Sequence, residues 1–120
     1  MPTTPSPVSR FRPWDVVVVP FPYSEQQQSV VRPGVIVSTP RLHQKARMYY
    51  VAMITNAQHA AWDGDVPISN LKGAGLPVAS IVRPAKLATF DESAIIRAVG
   101  SLPTKDRAKV VESVQAFLAK

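Results

Sequence analysis

The apolar runs of this chain are short, rich in β-branched residues and bounded by proline or polar residues. That punctuation constrains the fold more than any other feature. Val16–Phe21, Val35–Thr39 and Met48–Thr55 each have the length and composition of a buried strand. In the third run Tyr49, Val51 and Met53 alternate with Tyr50, Ala52 and Ile54, so a strand would present the two sets to opposite faces. Shorter strands are expected in Asp65–Ser69 and around Ser80–Arg83, with room for another beyond. Pro84, which has no backbone donor, should end the pairing there or mark a bulge or an edge.

After residue 90 the pattern changes. Asp91 is placed to cap a short helix, "ESAIIRAV", closed by Gly100. Thr104 is placed to cap a second over Lys105–Ala119, where Val110, Val111, Val114, Phe117 and Leu118 recur at helical spacing as one apolar stripe. Strands followed by helices predict a mainly β fold, a small curled antiparallel sheet with helices packed at one end. Four of the 12 prolines precede Trp14, so residues 1–12 read as an extended tail and residues 13–120 as one domain.

Composition narrows the chemistry. Hydrophobic residues make up 46% of the 120, enough for a core without staples. There is no cysteine, which removes disulfides and thiolate metal sites and suits a reducing cytoplasm. His43 and His59 are the only histidines, too few for a histidine-rich metal cluster. No run approaches the roughly 20 apolar residues of a membrane span, and "MPTTPSPVSRFRP" lacks the apolar centre of a signal peptide. The net charge of +6 is compatible with a polyanionic partner or with solubility alone. Neither a phosphate-binding glycine loop nor a G-x-S-x-G nucleophile motif is present, so an enzyme reading is confined to chemistry without metal or cofactor.

Arg32-Pro33 precedes the second run. Proline holds Arg32 out of the helical region, which puts its guanidinium at the mouth of a strand, where paired donors can grip a phosphate. A plain surface arginine is the other reading. Arg83-Pro84 repeats the arrangement, and the two could converge on one anionic site. Thr55 ends the third run with a hydroxyl that either donates to a phosphate or simply closes a strand. His59 is the only nearby group that titrates close to neutrality, and it falls in a loop. Asp63 and Asp65 flank Gly64 in an expected turn, and Trp62 either stacks on a base or covers the core.

With these residues assembled, the chain resembles the PemK/MazF-type toxins of bacterial toxin–antitoxin pairs. The resemblance rests on "PWDVVVVPFPYSE", "VVRPGVIVST", "VAMITNAQHAAWDGDVPI" and "AGLPVASIVRPAKLATFDESAIIRAVGSL". It implies a small SH3-like β-barrel (MazF/CcdB-like) with a C-terminal helix. It implies a homodimer that cuts single-stranded RNA selectively and needs no cofactor or metal. It further implies a cognate antitoxin with an acidic, initially disordered segment, and DNA binding together with that antitoxin. By the same resemblance Arg32 and Thr55 match the usual catalytic pair, and Arg83 an active-site arginine of the PemK/Kid branch. The aspartate assigned as base in that branch is replaced by Ala85, so the base here stays open among His59, Asp65 and a water. The loop Tyr23–Val31 would lie over the groove, with Tyr23, Ser24, Gln26, Gln27 and Gln28, and Trp62 beyond it, contacting RNA. The alternatives are a non-catalytic SH3-like module that binds nucleic acid or peptide, and a CcdB-like toxin acting on gyrase.

Overall fold

The computed structural model describes residues 9–21 and 30–120. Its strands are β1 (Asp15–Phe21), β2 (Val30–Ile36), β3 (Met48–Asn56), β4 (Val66–Pro67), β5 (Ser80–Asp91) and β6 (Arg97–Ser101). They form one curled antiparallel sheet in the order β4-β5-β3-β2-β1-β6. Among the described residues three α-helices accompany it: α1 (Pro40–Ala46), α2 (Leu71–Ala74) and α3 (Thr104–Ala116).

The continuous valine run has a direct explanation. Val16 and Val17 point to opposite faces of β1 and both are fully buried, because each face of the sheet carries its own core. One core gathers Val17, Val19, Ile36, Tyr49, Val51 and Met53 with Phe11, Phe90 and Ile95. The other gathers Val16, Val35, Ala52, Ile54 and Val82 with Leu102, Ala74 of α2 and Val110 of α3. Each fully buried side chain of this size is worth roughly 1.5–3 kcal/mol, so the central strands hold the molecule together. The alternation expected in β3 is present, although Tyr50 is exposed. Phe11, in the stretch read as a tail, is a core residue packed edge-on against Tyr49.

Pro84 sits in a bulge. Ala52 pairs with Leu87 and Met53 with Arg83, so Pro84, Ala85 and Lys86 are extra residues on β5. Such an insertion bends its strand and suits a residue that cannot donate to the ladder. Gly34 is required where β2 crosses β3: a Cβ there would lie 2.5 Å from Val51 Cγ1 and 3.0 Å from the Ala52 carbonyl oxygen.

Two expectations near the C-terminus are corrected. The helix over "ESAIIRAV" is only a single 3-10 turn, Glu92–Ala94, followed by β6, which contains Gly100. The outer edge of β1 needed a partner for its backbone groups, and Arg97–Ser101 supplies it through Asp15↔Ser101 and Val18↔Arg97. In α3 the stripe is narrower than its spacing suggested. Val110 is buried and Val114 packs beside it, but Val111, Phe117 and Leu118 are exposed. The helix begins one residue earlier than expected, after Pro103, and ends at Ala116. Buried Asp106 in its first turn accepts from the Ser69 amide and hydroxyl, both at 2.9 Å, and so fixes α3 to the segment after β4. Helix α1 was not foreseen. Among the described residues no helix is long and apolar enough to cross a membrane.

Candidate active site

Arg32 stands near the start of β2, opposite Val19 of β1 and half-buried. The β2–β3 ladder pairs Ile36 with Val51, Val35 with Ala52 and Gly34 with Met53, and ends there. Continued by two residues, the same register brings Arg32 opposite Thr55. Residues across an antiparallel pair share a face, so Arg32 and Thr55 lie on the face that also carries Val19 and Met53.

Thr55 is the penultimate residue of β3, opposite Ile81, and is 3% exposed. Its Oγ1 lies 2.9 Å from His59 Nδ1. The chain reverses between them in an Asn-headed turn: the Gln58 amide donates to Asn56 Oδ1 at 2.8 Å and the His59 amide to the Asn56 carbonyl at 3.1 Å. His59 itself is exposed. If Nδ1 carries the proton it donates to Thr55, and Nε2 is a base. If Thr55 donates instead, Nε2 carries the proton and is a hydrogen-bond donor. Sequence reasoning named both residues but did not pair them; the four-residue spacing across a turn was the available signal.

Arg83 is 6% exposed and turned inward. Its Nε donates to Asp65 Oδ1 at 3.1 Å, and its Nη2 to Asp65 Oδ2 at 3.0 Å and to the Ala60 carbonyl at 2.9 Å. The β4–β5 register explains the pairing: Val66 faces Val82, and one further step brings Asp65 opposite Arg83. Burial pushes the Asp65 carboxyl upward, but the Arg83 hydrogen bonds, the Trp62 amide and the Arg83 charge outweigh it and hold the group below the ordinary carboxylate range. The guanidinium that could have joined Arg32 at one anionic site is thus paired with a carboxylate whose two oxygens are both engaged.

The expected turn is present. The Asp65 amide donates to the Trp62 carbonyl at 3.2 Å, the Trp62 amide to Asp65 Oδ2 at 2.8 Å, and Gly64 supplies φ 86° between them. The Trp62 ring lies 4.3 Å from the Arg83 guanidinium carbon and 5.1 Å from Lys86 Nζ. Ala85 is exposed in the bulge beside them. Tyr23, Ser24, Gln26, Gln27 and Gln28 lie outside the described residues. Among the described residues no three His, Cys, Asp or Glu side chains group as a metal site would require.

Together these elements set Arg32, a threonine–histidine pair and a braced aromatic turn along one end of the sheet. A cation on the same face of the sheet as a hydroxyl–imidazole pair is a set of groups that phosphodiester chemistry can use.

Comparison with known proteins identifies the family and the fold. A family model described as "PemK-like, MazF-like toxin of type II toxin-antitoxin system" matches residues 12–118. No curated protein sequence matches the chain. Among solved structures, the toxin MazF-mt6 of Mycobacterium tuberculosis superposes with a TM-score of 0.68 at 18% identity, covering 85% of this chain and 93% of that one. MazF from Deinococcus radiodurans gives 0.70 at 16%, covering 88% and 94%. A mycobacterial endoribonuclease solved in complex with its cognate antitoxin gives 0.70 at 12%, covering 91% and 98%. At these identities the likeness is one of fold.

Proposed function

Because this chain belongs to the PemK-like, MazF-like toxins of type II toxin–antitoxin systems, we propose that it is an endoribonuclease that cuts single-stranded RNA without a metal ion. The observation that supports this reading is the Thr55–His59 hydrogen bond near the end of β3, on the face of the sheet to which the β1–β2 register assigns Arg32.

Arg32 binds the scissile phosphate and stabilises the charge that develops on its oxygens. Guanidinium holds its proton too tightly to act as the acid. The substrate's 2′-oxygen forms a bond to phosphorus while the bond from phosphorus to the 5′-oxygen breaks. His59 Nε2 takes the 2′-hydroxyl proton, and the departing 5′-oxygen receives one from solvent. The products are a 2′,3′-cyclic phosphate and a 5′-hydroxyl. Thr55 holds the imidazole by its Nδ1 edge. Of the possible bases, Asp65 has both oxygens engaged with Arg83 and Trp62, which favours His59. The polar loop Tyr23–Val31 selects bases, and a cognate antitoxin blocks the site with an acidic segment, the toxin acting as a homodimer.

The test is an RNA carrying a single 2′-deoxy residue at the cut position, with the ends of all products read by mass spectrometry. Cyclic phosphate ends on the unmodified RNA and no cut at the deoxy residue are expected. Cleavage at the deoxy residue would rule out attack by the 2′-hydroxyl. The presence of Ala85, where one branch of the family has its base, favours a second reading as a nucleic-acid-binding module without catalysis. Binding of the unmodified RNA with no products would establish it.

A further inference from the structure

Trp62 is 43% exposed and, among the described residues, belongs to neither apolar core. It is therefore no lid, and leaving an indole this exposed forgoes much of the stabilisation its burial would give. Its position is nonetheless tightly fixed. Its amide is held by Asp65, its carbonyl by the Asp65 amide, and its ring by contact with a buried guanidinium. That guanidinium is itself fixed through three hydrogen bonds, in an ion pair whose side chains are 7% and 10% exposed. A buried ion pair gives little net stability, because desolvation offsets its attraction. Here it immobilises one exposed aromatic face.

The location matters as much as the rigidity. Arg83 faces Met53, two residues from Thr55 along β3 and on the same side of the sheet, a step of about 7 Å. Lys86, ejected by the bulge, approaches the same ring. Rigid exposed aromatics with neighbouring cations are how proteins seat unpaired bases, since every base has a π-face and the cations attend the backbone.

We propose that Trp62, braced by the Asp65–Arg83 pair and flanked by Lys86, is the stacking platform for one unpaired base of the RNA beside the cut. Arg83 and Asp65 are then positioning residues for this platform rather than carriers of charge to the scissile phosphate. The proposal rests on the reading of this site as a single-stranded RNA nuclease, and its test separates the two. The probe is a mixed-sequence single strand of about 12 nucleotides, 2′-O-methylated throughout so that 2′-hydroxyl attack is impossible. Trp62→Ala should bind it roughly 5- to 150-fold more weakly, with Trp62→Phe restoring most of the affinity. Saturating RNA should quench the indole emission of the wild type, and this quench should vanish in Trp62→Phe, where Trp14 remains. On cleavable RNA, Trp62→Ala should raise KM while kcat stays within about threefold.

Binding by Trp62→Ala within about twofold of wild type would overturn the platform, as would a saturated complex with no quench. Wild-type protein that binds and is quenched but leaves cleavable RNA intact would keep the platform and remove the nuclease. Protein that cuts normally, with KM unchanged in Trp62→Ala, would do the reverse.

Discussion

Two arginine–carboxylate pairs of equal length stand along the β3–β5 ladder, one beyond its Met48–Asp91 end and one at its bulge, and their surroundings give them different work. Arg47 Nη1 lies 3.0 Å from Glu92 Oε2, with side chains 38% and 15% exposed. Glu92 Oε1 also accepts from the Tyr49 hydroxyl at 2.5 Å and the Arg10 amide at 3.0 Å. This end fastens the segment carrying Phe11 to the core. The Arg83–Asp65 pair is also 3.0 Å long but nearly closed to water, and its other contacts are the carbonyl of Ala60 and the amide and ring of Trp62. The first is a staple between chain segments; the second fixes the turn that presents Trp62. Equal distances therefore do not mean equal roles. What each pair holds decides that.

The largest expected effect lies at the site end. Arg32→Ala should lower kcat/KM by about 10³–10⁵-fold, as loss of an arginine on a transferring phosphate does. Its thermal midpoint should move by less than about 2 °C, which circular dichroism on the same sample would check. Comparable losses of activity and stability would mean that Arg32 is structural.

Breaking the buried pair comes next. Arg83→Met or Asp65→Leu alone should each cost about 3–5 kcal/mol in urea unfolding, because each strands a buried charge. The double variant should recover much of that loss. Strict additivity in this cycle would mean the two groups do not depend on each other.

At the staple end the effect is smaller. Glu92→Gln should cost about 1–3 kcal/mol through weakened bonds to Tyr49 and Arg10, with cleavage unaffected. The pH dependence has a definite sign. Burial pushes Glu92 up, but the Tyr49 hydroxyl, the Arg10 amide and the charges of Arg47 and Arg10 outweigh it, so the carboxyl is held low. Asp65 is held low as well. Both folded pKa values lie below the unfolded ones, so their stabilisation is complete above the ordinary carboxylate range and is lost as pH falls through the folded values. Stability measured below about pH 4 should therefore fall less steeply in Glu92→Gln than in wild type. The smallest effect is expected for Arg47→Ala, below about 1 kcal/mol, because its guanidinium is more than a third exposed.

The strands were legible because valine runs and proline stops carry their own signal, and Pro84 marked its bulge. Thr55 was placed near a strand end, but the second strand was expected at Val35–Thr39 and runs over Val30–Ile36, so Arg32 and Pro33 lie inside it, paired with Val19 and Val18, rather than at its mouth. Of the elements that were not legible, β6 and α1 are instructive. The segment after Asp91 has residues compatible with a helix, and only the unpaired edge of β1, a long-range feature, makes Arg97–Ser101 a strand. Helix α1 did have a local signature that went unread, with Thr39 before it and Pro40 in its first turn. The Asp65–Arg83 pair depends on the register of a two-residue strand, which no local pattern encodes. Hence the neutralisation of Arg83 became visible only in three dimensions.

The central claim is that Arg32 is the working centre of a metal-independent RNA nuclease. Primer extension on a long RNA, incubated in EDTA with wild-type protein or with Arg32→Ala, tests it most directly. The account predicts stops recurring at one short sequence with wild type and none with the variant. An uncut RNA in the presence of folded wild-type protein, or the same stops in both lanes, would contradict it.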